Sequence, residues 1–161
     1  MILFDIEADG LYPSKIHCMS WVEVTGDRVI RSTTDYNVMR KLLLSGKMMI
    51  GHNIVNWDVP QLERLLNIKV LGKLLDTLGI SYYLYPERPK MKPKKLHGLA
   101  SWGETFGVKK PEITDWENLP VTEYIHRCEE DVKINLKLWD KSWETLMKLY
   151  GREDLVLRLY S

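Results

Sequence analysis

Asp5 and Glu7 stand two residues apart inside the run Ile2-Leu3-Phe4-Asp5-Ile6-Glu7. The bulky and β-branched types around them read as a buried strand. Alternate side chains of a strand share a face, so the two carboxylates project together, roughly 7 Å apart along the chain. Buried acids placed this way repel one another unless something positive lies between them. Carboxylate oxygens select hard cations such as Mg²⁺ or Mn²⁺, and a gathered set of them can hold two ions for phosphoryl transfer.

Two further stretches hold groups of the same kind. Gly51-His52-Asn53-Ile54-Val55-Asn56-Trp57-Asp58 ends a short strand, crosses a polar loop and opens a helix on Asp58, where the helix dipole favours an acid. Short parallel connections return to the same sheet, so this strand can lie beside the first and bring Asp58 near Asp5. Tyr124-Ile125-His126-Arg127-Cys128-Glu129-Glu130-Asp131-Val132 begins a long helix. Glu129 and Glu130 suit a solvated face, whereas Asp131 stands among apolar positions that should face the sheet.

The elements that must position these groups follow from the periodicity. After the first strand, Tyr12-Pro13-Ser14 marks a turn, and Ile16 to Val24 reads as a second strand. Gly26-Asp27 turns the chain into a third strand beginning at Arg28 to Arg31, which predicts an antiparallel meander. Asp35 caps a helix carrying Val38, Met39, Leu42 and Leu43 and ending at Gly46; Met48 to Gly51 returns as a strand. Val59, Leu62, Leu65 and Leu66 trace the next helix, with Pro60 in its first turn. Leu74 to Tyr85 reads as helix, Pro86 to Lys95 as an extended loop, Leu96 to Phe106 as helix, and Pro111 to Pro120 as irregular. Thr122 to about Tyr150 is a long helical pattern stopped by Gly151, followed by an apolar tail from Leu155 to Tyr160. Strands followed by interleaved helices and strands predict an α/β fold, a mixed sheet flanked by helices.

The 161 residues suit a single domain spanning 1–161. A net charge of +1 gives no global attraction to nucleic acid, so such binding must come from local patches. Arg88, Lys90, Lys92, Lys94 and Lys95 form one, suited to a single-strand phosphate track. Cys18 and Cys128 have no zinc or disulfide spacing and read as free thiols of a reducing compartment. No secretory pattern opens the chain and no run reaches the ~18 residues that cross a bilayer, so a soluble, cytoplasmic protein is expected.

Taken together, the three acid-bearing stretches resemble the DEDD superfamily of 3′-to-5′ exonucleases. The first motif of that superfamily is Asp-x-Glu, its second carries His-Asn and a following Asp, and its third ends in Asp. Asp5, Glu7, Asp58 and Asp131 match the four acids. Asp76-Thr77 and Leu96-His97-Gly98-Leu99-Ala100-Ser101-Trp102-Gly103 add to the likeness, which covers nearly the whole chain. It looks closest to the proofreading exonuclease domains of bacteriophage-type family A DNA polymerases.

The resemblance implies a ribonuclease-H-like fold with a five-stranded mixed sheet in the order 3-2-1-4-5. It also implies two Mg²⁺ or Mn²⁺ ions, with Asp5 bridging, Glu7 and Asp131 on the ion that carries the attacking water, and Asp58 on the second. Ala8, Gly10 and Leu11 would cradle the terminal nucleotide, with His52, Asn53 and Trp57 beside it. One branch of the superfamily has a histidine five residues before the last Asp, the other a tyrosine four before it; here those positions hold His126 and Arg127.

Chemistry favours His126 as general base, since an imidazole of pKa near ~6.5 can deprotonate water and a guanidinium cannot. Geometry is less kind to it: on an ideal helix His126 lies about 140° from Asp131, Arg127 about 40° and Tyr124 about 20°, which makes Tyr124 the rival. The implied activity is stepwise hydrolysis of single-stranded DNA from its 3′ end to nucleoside 5′-monophosphates, as a proofreader attached to or partnered with a DNA polymerase, in the bacterial host cytoplasm if the origin is a phage. A 3′-to-5′ exoribonuclease, or an inactive nucleic-acid-binding or polymerase-docking module, is the alternative.

Overall fold

The computed structural model describes residues 1–88 and 95–158. Five strands form one sheet: β1 (Ile2–Ala8), β2 (Ile16–Glu23), β3 (Arg31–Thr33), β4 (Met49–Gly51) and β5 (Leu74–Asp76). Their order is β3-β2-β1-β4-β5. The β1/β2 and β2/β3 pairs are antiparallel, and β1/β4 and β4/β5 are parallel. This is the mixed sheet that the resemblance implied.

The strand period of two splits β1 between two cores. Ile2, Phe4 and Ile6 pack with Met39 and Leu43 of helix α1 (Tyr36–Leu43) and with Leu62 and Leu66 of helix α2 (Val59–Leu66). Leu3 packs on the other face with Ile50, Leu75 and Ile80, the last from helix α3 (Thr77–Leu84), and with Val132 and Trp139 of the long helix α5 (Val121–Tyr150). Helix α4 (Leu99–Phe106) leans on α5 through Trp102, Ile134 and Leu138. A last short helix, α6, runs over Glu153–Arg158. Each buried side chain of this size contributes on the order of 2 kcal/mol, the reserve against which crowded acids can be held. Asp5 and Glu7 continue the Leu3 row, so the sheet itself aims them at α5.

The observed elements depart from expectation at definable points. Leu74–Asp76 is strand rather than the start of a helix; the helix begins at Thr77 because the Asp76 side chain accepts from Leu78 N and caps it. Strand β3 starts at Arg31, since Arg28 takes a left-handed turn conformation (φ 60°). Helix α4 starts at Leu99 rather than Leu96. Part of the apolar tail is helical, in α6. Among the described residues, no helix is long and apolar enough to cross a membrane.

Candidate active site

Three elements converge on one cavity of about 640 Å³. Asp5 and Glu7 enter from β1, at whose end the β1/β2 register shifts between Glu7 and Ala8. Such bulges turn a strand's last side chains toward a site. Asp131 enters from α5, packed beside Val132 on the sheet-facing side. Asp58 ends a π-helical turn, Ile54–Asp58, that leads directly into α2. All four acids line the cavity. Oxygens of Asp5, Glu7 and Asp131 lie within 4.8 Å of one another.

The Asp58 turn is set by Asp76 at the end of β5. Its carboxylate accepts from the backbone N–H groups of Asn53 (2.8 Å) and Val55 (3.1 Å) while also capping α3 through Leu78 N (2.9 Å). Asn53 itself sits in the left-handed region (φ 62°), a conformation that asparagine tolerates. One buried-side acid thus ties the second motif to the sheet.

The electrostatics are those of acids crowded without enough counter-charge. Burial, then the carboxylates of Asp131, Asp58 and Glu7, push Asp5 well above the usual carboxylate range. Burial, then Asp131, raises Glu7 to about 7, against the pull of Arg127 and Lys110. Burial is the main cause that raises Asp58 to about 8. Asp131 is raised by burial and held down by Lys110 and Arg127. Two ion pairs relieve part of this: Lys110 Nζ lies 3.1 Å from Asp131 Oδ1, and Arg127 Nε lies 3.3 Å from Glu7 Oε1. Neither Asp131 Oδ1 nor Arg127 Nε has a hydrogen bond of good geometry. Hard oxygen donors, raised pKa values and a buried carboxylate oxygen lacking a hydrogen bond are what a divalent cation would satisfy, so these residues fit one.

The expected nucleotide-facing residues also reach the cavity: Ala8, Gly10, Leu11, His52, Asn53 and Trp57 all line it. Gly10 adopts φ +152°, which a side chain would strain. Leu11 is 79% exposed, and its carbonyl accepts from Trp57 Nε1 at 3.1 Å, so the indole props up this lip. His52 is fixed instead by internal partners. Its Nε2 donates to the His97 carbonyl (2.9 Å), leaving Nδ1 as acceptor beside Thr77 Oγ1 (2.9 Å). Burial lowers its pKa to about 4, so it stands neutral and has no spare donor for a phosphate.

His126 does not join the acids. It is exposed, and among the described residues the cavity wall in this stretch is Arg127 and Asp131. Five residues advance a helix by about 500°, so His126 points away from the face that Asp131 presents. The structure therefore does not bring His126, expected as the general base, together with the four acids. Tyr124 is no substitute: it is 1% exposed, its hydroxyl donates to Asp115 O (2.8 Å) and accepts from Leu119 N (3.2 Å), and its ring stacks on His17.

Lys110, Trp116 and Leu99 line the cavity without having been singled out. Lys110 and Trp116 sit in a connection with no periodicity, where sequence offers no signal for a side chain's direction. Arg127 had one: its 40° offset from Asp131. The basic run changes character too. Arg88 turns inward, donating to Leu96 O and Ser101 Oγ at 3.0 Å each and lying 3.4 Å from the Trp102 ring centre. Lys90, Lys92 and Lys94 lie outside the described residues. Cys18 and Cys128 are both free and buried, and the Cys128 thiol donates to the Asp5 carbonyl at 3.2 Å.

No protein-family model matches the sequence, and no curated protein matches it. Solved structures match the fold. Brucella melitensis NrnC with bound Mg²⁺ superposes with a TM-score of 0.64 at 16% identity, over 99% of this chain and 79% of that one. The family B DNA polymerase from the archaeon Pyrobaculum calidifontis matches at 0.65 and 19% identity, over 92% of this chain and 25% of the polymerase. Exonuclease X in complex with 5′ overhanging duplex DNA matches at 0.58 and 14% identity, over 94% and 93%. With the observed strand order, these likenesses establish a ribonuclease-H-like fold.

Proposed function

We propose that the chain is a metal-dependent 3′-to-5′ exonuclease that removes nucleotides from single-stranded DNA ends. The observation that carries this reading is the meeting of Asp5, Glu7, Asp58 and Asp131 around one cavity, three of them with oxygens within 4.8 Å of one another. Asp5, Glu7 and Asp131 would hold one Mg²⁺ or Mn²⁺ ion, and Asp58 with Asp5 a second. Bound there, divalent cations supply positive charge to a phosphodiester and lower the pKa of an attacking water.

The chain's own residues do the rest. Leu11 and Trp116, both exposed at the mouth, offer apolar faces against which a terminal base can stack. Trp57 keeps the Leu11 lip in place from below. A cavity of about 640 Å³ is of a size to receive a terminal nucleotide, which supports an unpaired end as substrate. Arg127 and Lys110 add positive charge to the cavity wall beside Glu7 and Asp131, where a phosphate would be attracted.

DNA is proposed ahead of RNA because two structural neighbours are a DNA complex of an exonuclease and a DNA polymerase. The polymerase likeness, covering only part of that protein, supports a proofreading role beside a polymerase domain or subunit. A DNA and an RNA oligonucleotide of the same sequence, each incubated with Mg²⁺, test the reading. The expected result is faster loss of the DNA, abolished by chelator and by Asp5→Ala. Intact DNA in both Mg²⁺ and Mn²⁺ would overturn it, and faster loss of the RNA would reassign the substrate.

A further inference from the structure

Lys110 is placed with unusual care for a residue in an irregular connection. On one side Val108 N donates to Gly103 O at 2.8 Å, and α4 approaches so closely there that a Cβ on Gly103 would meet Val108 O at 2.6 Å. On the other side Pro111 O accepts from Arg127 Nη1 at 2.8 Å. The backbone around Lys110 is pinned at both ends, so its freedom lies in the side chain.

The two cations that line the cavity among the described residues, Arg127 and Lys110, differ in how they are held. Arg127 has the Pro111 carbonyl, the Glu7 carboxylate and the Trp116 ring, whose centre lies 5.0 Å from its guanidinium carbon. It is a fixture. The contact shown for the Lys110 ammonium is Asp131, at 3.1 Å, with the side chain 22% exposed. An ammonium on a four-carbon stem is a compact charge that changes partner without moving its backbone. Asp131 is also one of the trio of acids that fits a divalent cation, so Lys110 and that cation compete for one carboxylate.

We propose that Lys110 is a shuttling counter-ion. It neutralises Asp131 in the metal-free site and, once displaced by a divalent cation, donates to a phosphate oxygen of the substrate. This rests on the nuclease reading above and adds a residue to it. Lys110 then contributes with opposite signs to two binding steps: it opposes metal uptake and favours phosphate binding. A residue that merely braced the fold would weaken both when removed.

Calorimetric titration of the intact chain with MnCl₂, and then with deoxythymidine 5′-monophosphate at saturating Mn²⁺, separates these possibilities. Lys110→Met and, as a second neutral variant, Lys110→Gln should bind Mn²⁺ about tenfold tighter than the unaltered chain, since a competing like charge is gone. The same variants should bind the nucleotide about tenfold more weakly, for want of a charged donor. Lys110→Arg, which keeps the charge, should stay within about threefold of the unaltered chain in both. Circular dichroism confirms that the variants compared are folded. Mn²⁺ affinity that is unchanged or reduced in the folded neutral variants overturns the proposal, as does unchanged nucleotide affinity. Failure of the unaltered chain to bind Mn²⁺ overturns the nuclease reading and this inference with it, whereas Mn²⁺ binding indifferent to Lys110 overturns this inference alone.

Discussion

Arg127 Nε lies 3.3 Å from Glu7 Oε1, while His126, one residue earlier on α5, is exposed and outside the cavity. The arginine therefore occupies the angular position from which a base could reach the acids. A guanidinium stays protonated at any working pH, so its service is charge and not proton transfer. His126→Ala should keep cleavage within about threefold of the unaltered chain, whereas loss of a true general base costs about a hundredfold or more. Steady-state cleavage of a short oligonucleotide measures this, and a hundredfold loss would restore histidine to the mechanism.

The raised carboxyls set a pH dependence. Glu7 at about 7 and Asp58 at about 8 bind protons more tightly folded than unfolded. Their contribution to metal-free stability is fully present below the ordinary carboxylate pKa near ~4 and is lost as pH rises through those folded values. His52 acts oppositely, because its folded pKa of about 4 removes stability as pH falls below about 6.5. The interval from about pH 6.5 to about pH 8.5 isolates the carboxyls. Over it the melting temperature without metal should fall, and the increment given by saturating Mg²⁺ should grow, because the cation takes the deprotonated ligands. A Mg²⁺ increment that shrinks with pH would contradict the assignment of these acids as ligands.

Asp58 is 4% exposed and, although it stands at the N-terminus of α2, its side chain makes no cap hydrogen bond there. Among the described residues no cation is shown paired with it, and a buried carboxylate without a counter-charge costs stability that a neutral amide of the same shape does not. Asp58→Asn should raise the metal-free melting temperature at about pH 8 by a few degrees, equivalent to about 1 kcal/mol for a chain of this size. The same change should remove most cleavage. A lower melting temperature would mean that the carboxylate is held by stabilising contacts after all.

Asp76 carries three backbone N–H groups from two elements. Asp76→Ala should cost about 2 kcal/mol, combining a lost helix cap with orphaned donors at Asn53. It should also lower cleavage, although Asp76 is absent from the cavity lining, because the turn that ends in Asp58 loses its anchor. Asp76→Asn, which keeps one acceptor, should recover part of both in chemical denaturation and cleavage assays. Equal melting of Asp76→Ala and the unaltered chain would refute the anchoring role.

Much of this site could be read before any coordinates. The period-two pattern of β1 put Asp5 and Glu7 on one face, and the helical stripe of α5 turned Asp131 toward it. What escaped did so for physical reasons. Leu74–Asp76 is three residues long and runs into an apolar helix, so strand and helix merge into one hydrophobic stretch whose boundary is the Asp76 cap. Arg88 looked like part of a surface track because composition cannot show that a guanidinium turns inward onto Trp102. Lys110 was invisible because its position depends on a close approach between Gly103 and Val108, a contact between helix and loop that no local pattern encodes.

The central claim is that four carboxylates on this fold hydrolyse a nucleic acid from its 3′ end. A time course on single-stranded DNA carrying a 5′ label, run in Mg²⁺ with product identification, tests it most directly. The account predicts a ladder of labelled strands shortening one nucleotide at a time, with nucleoside 5′-monophosphates released. Immediate release of the label as a mononucleotide, or a labelled strand that stays full length while the protein binds it, would contradict the account.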